Sequence, residues 1–157
     1  VMLTAKGLGN GLPIGVCMAR GEAAQLLGPG DHGSTYGGNP LCCAAAIAVL
    51  TTLRDDTVMQ RARSVREVLL TALHEAITDS DLIAEVRGRG LMIGIQPRVA
   101  TKGIVQRGLE SGLLINVAGG DTIRVLPPLV MTDEQAGELG AGIANIINDI
   151  AEQENAL

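Results

Sequence analysis

The chain has almost no aromatic side chains with which to build a core. Of its 157 residues one is Tyr, and there is no Phe or Trp, although 46% of the residues are apolar. The interior must therefore be filled by Leu, Ile, Val, Met and Ala. The 21 glycines indicate many tight turns or close backbone approaches. The length allows a substantial core and favours one domain or part of one.

The charge distribution argues against a nucleic-acid-binding protein. The formal net charge is −5, whereas such proteins usually carry a basic stripe. The nearest approach to a stripe is a set of four arginines with three interleaved acids, namely Arg54, Arg61, Arg63 and Arg66 with Asp55, Asp56 and Glu67. We interpret this segment as a solvated helix face.

The sequence favours neither a membrane protein nor a metalloprotein. No apolar run approaches the roughly 18 residues that span a bilayer, and no signal peptide is visible. Cys17, Cys42 and Cys43 lie among small apolar residues, which predicts buried free thiols in a reducing, cytoplasmic compartment. His32 and His74 are too few to complete a metal site with them.

The first half of the chain alternates glycine-rich turns with short apolar segments. Residues 1–5 and 14–19 are predicted to be buried strands, and residues 21–27 a short helix. Asn39 and Pro40 predict a helix start, because Asn suits the N-cap and Pro the first helical position. The sequence that follows, to about residue 53, is apolar on nearly every side, which predicts a helix buried all round.

The second half predicts an amphipathic helix and then a small sheet covered by helices. The amphipathic helix is expected over residues 57–77, and the capping box that begins at Thr132 predicts a last helix to about residue 155. Between them we expect strands at 83–86, 91–95, 113–117 and 122–126 and a helix at 99–111. The glycines of Arg87-Gly-Arg-Gly90 favour a structural hairpin.

Lys6 is the first candidate for chemistry. It follows a predicted strand and lies between small or apolar flanks, Thr4-Ala5 and Gly7-Leu8-Gly9. Partial desolvation would free its amine as a nucleophile that can form a Schiff base with a carbonyl. The alternative is a surface lysine without a catalytic or binding role.

The second candidate is the segment Gly33-Ser34-Thr35-Tyr36-Gly37-Gly38-Asn39-Pro40. It combines two hydroxyls with backbone N–H groups and ends at a helix N-terminus. Such donors suit a phosphate group. A glycine-rich turn that merely precedes a capped helix explains the segment equally well. His32 adjoins it.

Arg124 is the third candidate, since it lies within the apolar segment Ile123-Arg-Val-Leu-Pro-Pro128. A charged side chain in such surroundings needs a partner, and a guanidinium suits bidentate binding of a carboxylate. Alternation along a strand also allows an outward-facing arginine on an edge strand.

Together these segments resemble class-III aminotransferases, which use pyridoxal 5′-phosphate (PLP). The similarity runs through Thr4–Gly15, through Asp31–Leu41 with its sequence HGSTYGGNP, and through Glu85–Gly94 with Ile123–Leu129. It implies an α/β fold of fold type I, comprising the end of the large domain and the small C-terminal domain. We expect residues 1–53 to end the large domain, 54–80 to connect, and 81–157 to form the small domain.

The resemblance implies a role for each candidate residue. Lys6 is the catalytic Schiff-base lysine, Thr35 binds the cofactor phosphate across a homodimer, and Ser34 and Arg124 contact substrate. The loop and Ala118-Gly-Gly are most similar to members that transfer an amino group from N-acetylornithine to 2-oxoglutarate in arginine biosynthesis. Succinylornithine, ornithine and 4-aminobutyrate are alternative donors.

The resemblance also implies that this chain is a partial enzyme. It matches about the last two-fifths of the family, so we expect exposed apolar surface and an inactive chain when it is isolated. A phosphate-binding module without catalysis, in which Lys6 is structural, is the second hypothesis. An inert product of an incomplete gene is the third.

Overall fold

The computed structural model describes residues 1–156, apart from the side chain of Asp56, and divides the chain into two compact units. The first unit is Val1–Asp56, and the second begins at Thr57. The Asp56 side chain, one of the interleaved acids, and Leu157, the end of the predicted small domain, lie outside the described part.

The first unit is a hairpin, a loop region and a helix. Strands β1 (Met2–Thr4) and β2 (Val16–Met18) pair antiparallel, with Leu3 opposite Cys17. A 3-10 turn (Lys6–Gly9) follows β1, and a second 3-10 turn, Gly21–Gln25, takes the place of the predicted short helix. Helix α1 (Pro40–Arg54) completes the unit.

The start of α1 is confirmed in detail. Asn39 is its N-cap, and its side chain accepts a hydrogen bond from the backbone N–H of Cys42 over 3.0 Å. Pro40 is the first helical residue, where its missing N–H costs the helix nothing.

Two predictions of burial in the first unit are wrong. The strands are exposed, with 59% exposure for Met2 and 74% for Leu3, and they form a sheet of two strands only. In α1 only Cys42 and Ala46 are buried, whereas Leu41, Ile47 and Leu50 are exposed. A continuous apolar sequence shows that a helix can be buried, but burial also needs elements to cover it.

The expectation of three buried thiols is also wrong for two of them. Cys17 is exposed on β2, Cys43 is half-buried, and only Cys42 is buried. Alternation on an uncovered strand leaves Cys17 in solvent. All three are free thiols, as predicted.

The second unit is an antiparallel four-stranded sheet covered by helices. Its strands are β3 (Ile83–Arg89), β4 (Met92–Pro97), β5 (Asn116–Ala118) and β6 (Thr122–Val125), in the spatial order β3-β4-β6-β5. Its helices are α2 (Asp56–Ala76), α3 (Ile104–Glu110) and α4 (Asp133–Asn155). No helix among the described residues is long and apolar enough to cross a bilayer.

The core of the second unit is aliphatic, as the composition requires. It joins one face of α2, the inward side of β4 and β6, and the buried face of α4; its fully buried members include Leu69, Leu73, Ile93, Ile95, Ile123, Ile143 and Ile147. Alternation along the strands leaves the opposite face of the sheet to solvent, so polar chemistry in this unit is confined to that face.

Two elements of the second unit are shorter than predicted for backbone reasons. Helix α3 begins at Ile104 rather than near residue 99, because Gly103 has φ = +88°, which a right-handed helix does not accept. Strand β5 begins at Asn116 instead of residue 113, and Gly112 at φ = +76° precedes the segment that leads to it.

Candidate active site

Lys6 is exposed at the start of its 3-10 turn and has φ = +52°. This left-handed conformation is unfavourable for a residue with a side chain, by roughly 1–2 kcal/mol. Backbone strain of this kind concentrates at functional sites. The desolvation expected for the Lys6 amine is wrong within this chain, because Thr4, Ala5 and Gly7 do not bury it.

The loop before α1 holds Ser34 and Thr35 on exposed backbone. The N–H of Gly37 donates to the carbonyl of Ser34 over 3.3 Å, and the Asn39 side chain donates to the carbonyl of Tyr36 over 2.9 Å. These bonds turn the loop directly into α1. The two hydroxyls therefore lie close in sequence to the positive end of a 15-residue helix.

The turn that carries Lys6 packs against α1. Leu8 and Gly9 are buried on the turn, and Cys42 and Ala46 are the buried residues of the helix. Gly9 has no room for a larger residue, since an added Cβ would lie 2.9 Å from the Cγ2 of Ile14. The same unit thus carries the candidate lysine, on a turn that contacts α1, and the candidate phosphate loop, which leads into α1.

Arg124 lies in the second unit, on the exposed face of β6. Ile123 and Val125 on either side of it are buried. The alternative of an outward-facing arginine on an edge strand is confirmed in its orientation and wrong in its strand, because β6 is paired with both β4 and β5. Nε of Arg124 donates to Oδ1 of Asn116 on β5 over 3.3 Å.

Arg124 lines a groove of about 440 Å³ on this exposed sheet face, which we call the Arg124 groove. One cross-strand row runs through it: Arg87 pairs with Gly94, Gly94 with Arg124, and Arg124 with Asn116. Gly94 has no side chain, and the Thr122 methyl and the stem of Arg87 lie over it, 3.1 and 3.5 Å from the position that a Cβ would take. The groove can accept an anionic group.

The structure thus places Lys6, Ser34 and Thr35 in the first unit and Arg124 in the second. Hairpin β3–β4 contains Arg87-Gly-Arg-Gly90, as predicted. Among the described residues, no three His, Cys, Asp or Glu side chains are arranged to hold a metal ion.

The chain matches a known protein family over most of its length. The family model described as Aminotransferase class-III matches residues 1–147. The chain belongs to the class-III aminotransferases. The match spans all three candidate regions, and it accounts for the mixed α/β structure as part of a fold-type-I aminotransferase.

Individual class-III aminotransferases are similar over nearly the whole chain. Acetylornithine aminotransferase 1 of Bordetella pertussis is 39% identical over 98% of this chain and 39% of its own length. Acetylornithine aminotransferase of Mycobacterium tuberculosis is 45% identical over 94% of this chain and 37% of its own. The chain therefore spans about two-fifths of the length of the relatives that it matches.

A solved ornithine aminotransferase from Toxoplasma gondii has a similar structure. It superposes with a TM-score of 0.84 at 32% identity, covering 98% of this chain and 37% of that one, and PLP partially occupies its active site. At this identity the likeness supports both the fold and the family.

The polar face of the sheet contains residues that the sequence analysis missed. Gln96, Asp121 and Thr122 form a hydrogen-bonded network with Arg87, for which the sequence predicts only a place in a hairpin. The signal in the sequence is weak, because the network depends on the register of β3, β4 and β6. Only the alternation of Glu85 and Arg87, two residues apart on one face, pointed to it.

Proposed function

We propose that this chain supplies the lysine, the phosphate loop and a carboxylate-binding arginine of an N-acetylornithine aminotransferase that uses 2-oxoglutarate as acceptor, a step of arginine biosynthesis. The single observation that carries the proposal is the class-III match over residues 1–147, which includes Lys6, Ser34, Thr35 and Arg124. Relatives named acetylornithine aminotransferase at 39–45% identity support the choice of donor.

The residues of the first unit fit PLP. Its phosphate needs hydrogen-bond donors, and the exposed loop that leads into the N-terminus of α1 carries the Ser34 and Thr35 hydroxyls. The nearby Asp31 carboxylate is engaged elsewhere, accepting the N–H of Gly28 over 2.6 Å. When bound, PLP serves as the electron sink for the substrate carbon.

Lys6 is proposed as the residue that attaches the cofactor and moves the proton. Its exposed Nζ can reach a ligand, and as a neutral amine it can accept a proton from the substrate carbon and return it. The Lys6 backbone has the left-handed value φ = +52°, a strained conformation of the kind found at functional sites. Lysine is suited to this work because its amine forms imines with carbonyls.

Thr35 and Ser34 are proposed to act at the phosphate end of the site. Thr35 binds the cofactor phosphate, reaching the site of the partner in a homodimer, and Ser34 contacts substrate. Both hydroxyls are exposed and free to rotate, and each can donate to an anionic oxygen.

Arg124 is proposed to bind the substrate α-carboxylate. Its guanidinium lies on the exposed sheet face, where the neutral Asn116 is its hydrogen-bond partner. A carboxylate can therefore be bound with charge assistance and in a bidentate geometry.

The donor is tested by assaying the full-length protein with PLP and 2-oxoglutarate. N-Acetylornithine should give the highest kcat/KM of a panel that also contains succinylornithine, ornithine and 4-aminobutyrate. A higher value for another member would reassign the donor and leave the reaction class intact. No glutamate formation with any member would support the non-catalytic phosphate-binding alternative.

A further inference from the structure

Arg124 has no carboxylate partner in the described part of the chain, although an acidic residue lies close by in the sequence. Asp121 lines the same groove and precedes Arg124 by three residues. Among the described residues Arg124 forms no ion pair, and its hydrogen bond goes to the neutral Asn116. A guanidinium is a suitable partner for a carboxylate, which it can bind in a bidentate geometry.

A closed ring of hydrogen bonds holds Asp121. Its Oδ2 accepts from Nε2 of Gln96 over 2.9 Å, and its Oδ1 accepts from the Thr122 hydroxyl over 2.7 Å. Arg87 closes the ring, with NH1 donating to Oε1 of Gln96 over 2.9 Å and NH2 donating to Oγ1 of Thr122 over 2.8 Å.

The ring sets the direction of each donor. Because Oγ1 of Thr122 accepts from Arg87, its single proton is directed to Asp121. Because Oε1 of Gln96 accepts from Arg87, its amide nitrogen faces Asp121. Arg87 itself is compensated by Glu85, at 2.7 Å from NH1. The carboxylates of Asp121 and Glu85 are therefore both bound to groups other than Arg124.

We propose that Arg87, Gln96 and Thr122 are positioning residues that hold Asp121 away from Arg124, so that its guanidinium stays free for a substrate carboxylate. This inference rests on the proposed role of Arg124. The ring also holds the turn between β5 and β6, where the Thr101 hydroxyl donates to the carbonyl of Gly120 over 2.6 Å.

The alternative is that the ring only stabilises the turn. Removal of the charge of Asp121 distinguishes this structural role from the proposed positioning role. Thr122→Val keeps the shape of the side chain and its methyl contact with the strand bearing Gly94, but deletes the hydroxyl at the centre of the ring. The freed Asp121 then competes with substrate for Arg124. In the double variant Thr122→Val/Asp121→Asn, that competing charge is absent while the ring stays broken.

The experiment uses full-length protein loaded with PLP and measures the affinity for succinate, a dicarboxylate with no group to transaminate, by calorimetry. KM and kcat for the amino donor are measured alongside. We expect Thr122→Val to weaken succinate binding and raise KM about tenfold, the cost of a lost charge-assisted hydrogen bond. The kcat value should change little.

The double variant Thr122→Val/Asp121→Asn should bind succinate to within about twofold of the unmodified protein. Thr71→Val, on the exposed side of α2, is the matched control.

Two results would overturn the inference. One is unchanged succinate affinity in Thr122→Val; the other is a double variant that stays as weak as Thr122→Val, which would assign the ring to turn stability. Arg124→Gln distinguishes this failure from that of the proposed function. If Arg124→Gln weakens succinate binding, the proposed role of Arg124 stands regardless of the ring. If Arg124→Gln binds succinate normally, Arg124 is not the carboxylate site and both ideas fall.

Discussion

At the residue scale, individual glycines mark where the backbone leaves no room for a side chain. Gly140 of α4 is the clearest case, since an added Cβ would collide with the backbone carbonyl of Leu69 and lie 3.0 Å from the backbone nitrogen of Leu73. Helices α2 and α4 therefore approach closely at this point. A Cβ cannot displace helix backbone at little cost.

Gly140→Ala should consequently destabilise the second unit by about 1–3 kcal/mol, the usual cost of overpacking a core. Gly137→Ala in the same helix is the control, because no atom lies within 4 Å of its added Cβ. That change should be neutral or stabilising by up to about 1 kcal/mol, since Ala has the higher helix propensity. Urea unfolding curves of both variants test this; equal midpoints would contradict the close contact.

Residue-scale chemistry was the part most readily predicted from sequence. Asn39, Pro40 and the Thr132 capping box depend on neighbours within three or four positions, so local sequence determines them. The conformation of Lys6 was not predictable, because a left-handed lysine is held by the packing of its turn on α1 rather than by its own preference.

At the element scale, the end of α2 depends on a side chain from α4. Asn148 is 8% exposed; its Oδ1 accepts from both the N–H and the hydroxyl of Thr78, and its Nδ2 donates to the carbonyl of Ala76. One buried amide thus satisfies a carbonyl of the last turn of α2, which has no helical partner, and an N–H just beyond the helix.

Asn148→Ala should cost about 2 kcal/mol, because it deletes three part-buried hydrogen bonds at the end of α2. Asn145→Ala is the matched control, three residues earlier on the exposed side of α4, and should change stability by less than about 0.5 kcal/mol. Thermal unfolding followed by circular dichroism compares the two. A similar loss for both would refute a specific capping role for Asn148.

The helices and strands of the second unit could be predicted from the sequence, whereas the burial of the side chains of the first unit could not. The amphipathic pattern over residues 57–77 predicts α2, and Ala62, Val65, Leu69 and Leu73, spaced by three or four residues, form its buried face. In α1 the same reasoning overestimated burial, because an apolar sequence carries no information about which surfaces will cover it. The ring around Asp121 depends on strand register, which no local pattern specifies.

At the scale of the whole molecule, the two units differ in how much core they contain. The buried apolar side chains of the first unit are Leu8, Cys42 and Ala46, whereas those of the second form one aliphatic cluster. Exposed apolar side chains in the first unit include Leu3, Leu26 and Ile47. The expected exposed apolar surface is therefore found, and a surface of this kind is typical of an interface.

Hydrogen exchange of the 157-residue chain should follow this division. Amides of β4, β6 and the centre of α4 should be the slowest to exchange, since opening them exposes the aliphatic cluster. Amides of β1 and β2 should exchange at least about a hundredfold faster, which corresponds to about 3 kcal/mol less protection. Equal protection of the two units would show that the first is held by contacts beyond those described.

The central claim is that Lys6 attaches PLP, and the sequence makes this unusually easy to test. The chain contains two lysines, Lys6 and Lys102, and both are exposed. Borohydride reduction of the PLP-loaded full-length protein, followed by peptide mapping, should place the reduced cofactor on Lys6 and leave Lys102 unmodified. Adduct on Lys102, on a lysine outside this chain, or on none would contradict the account.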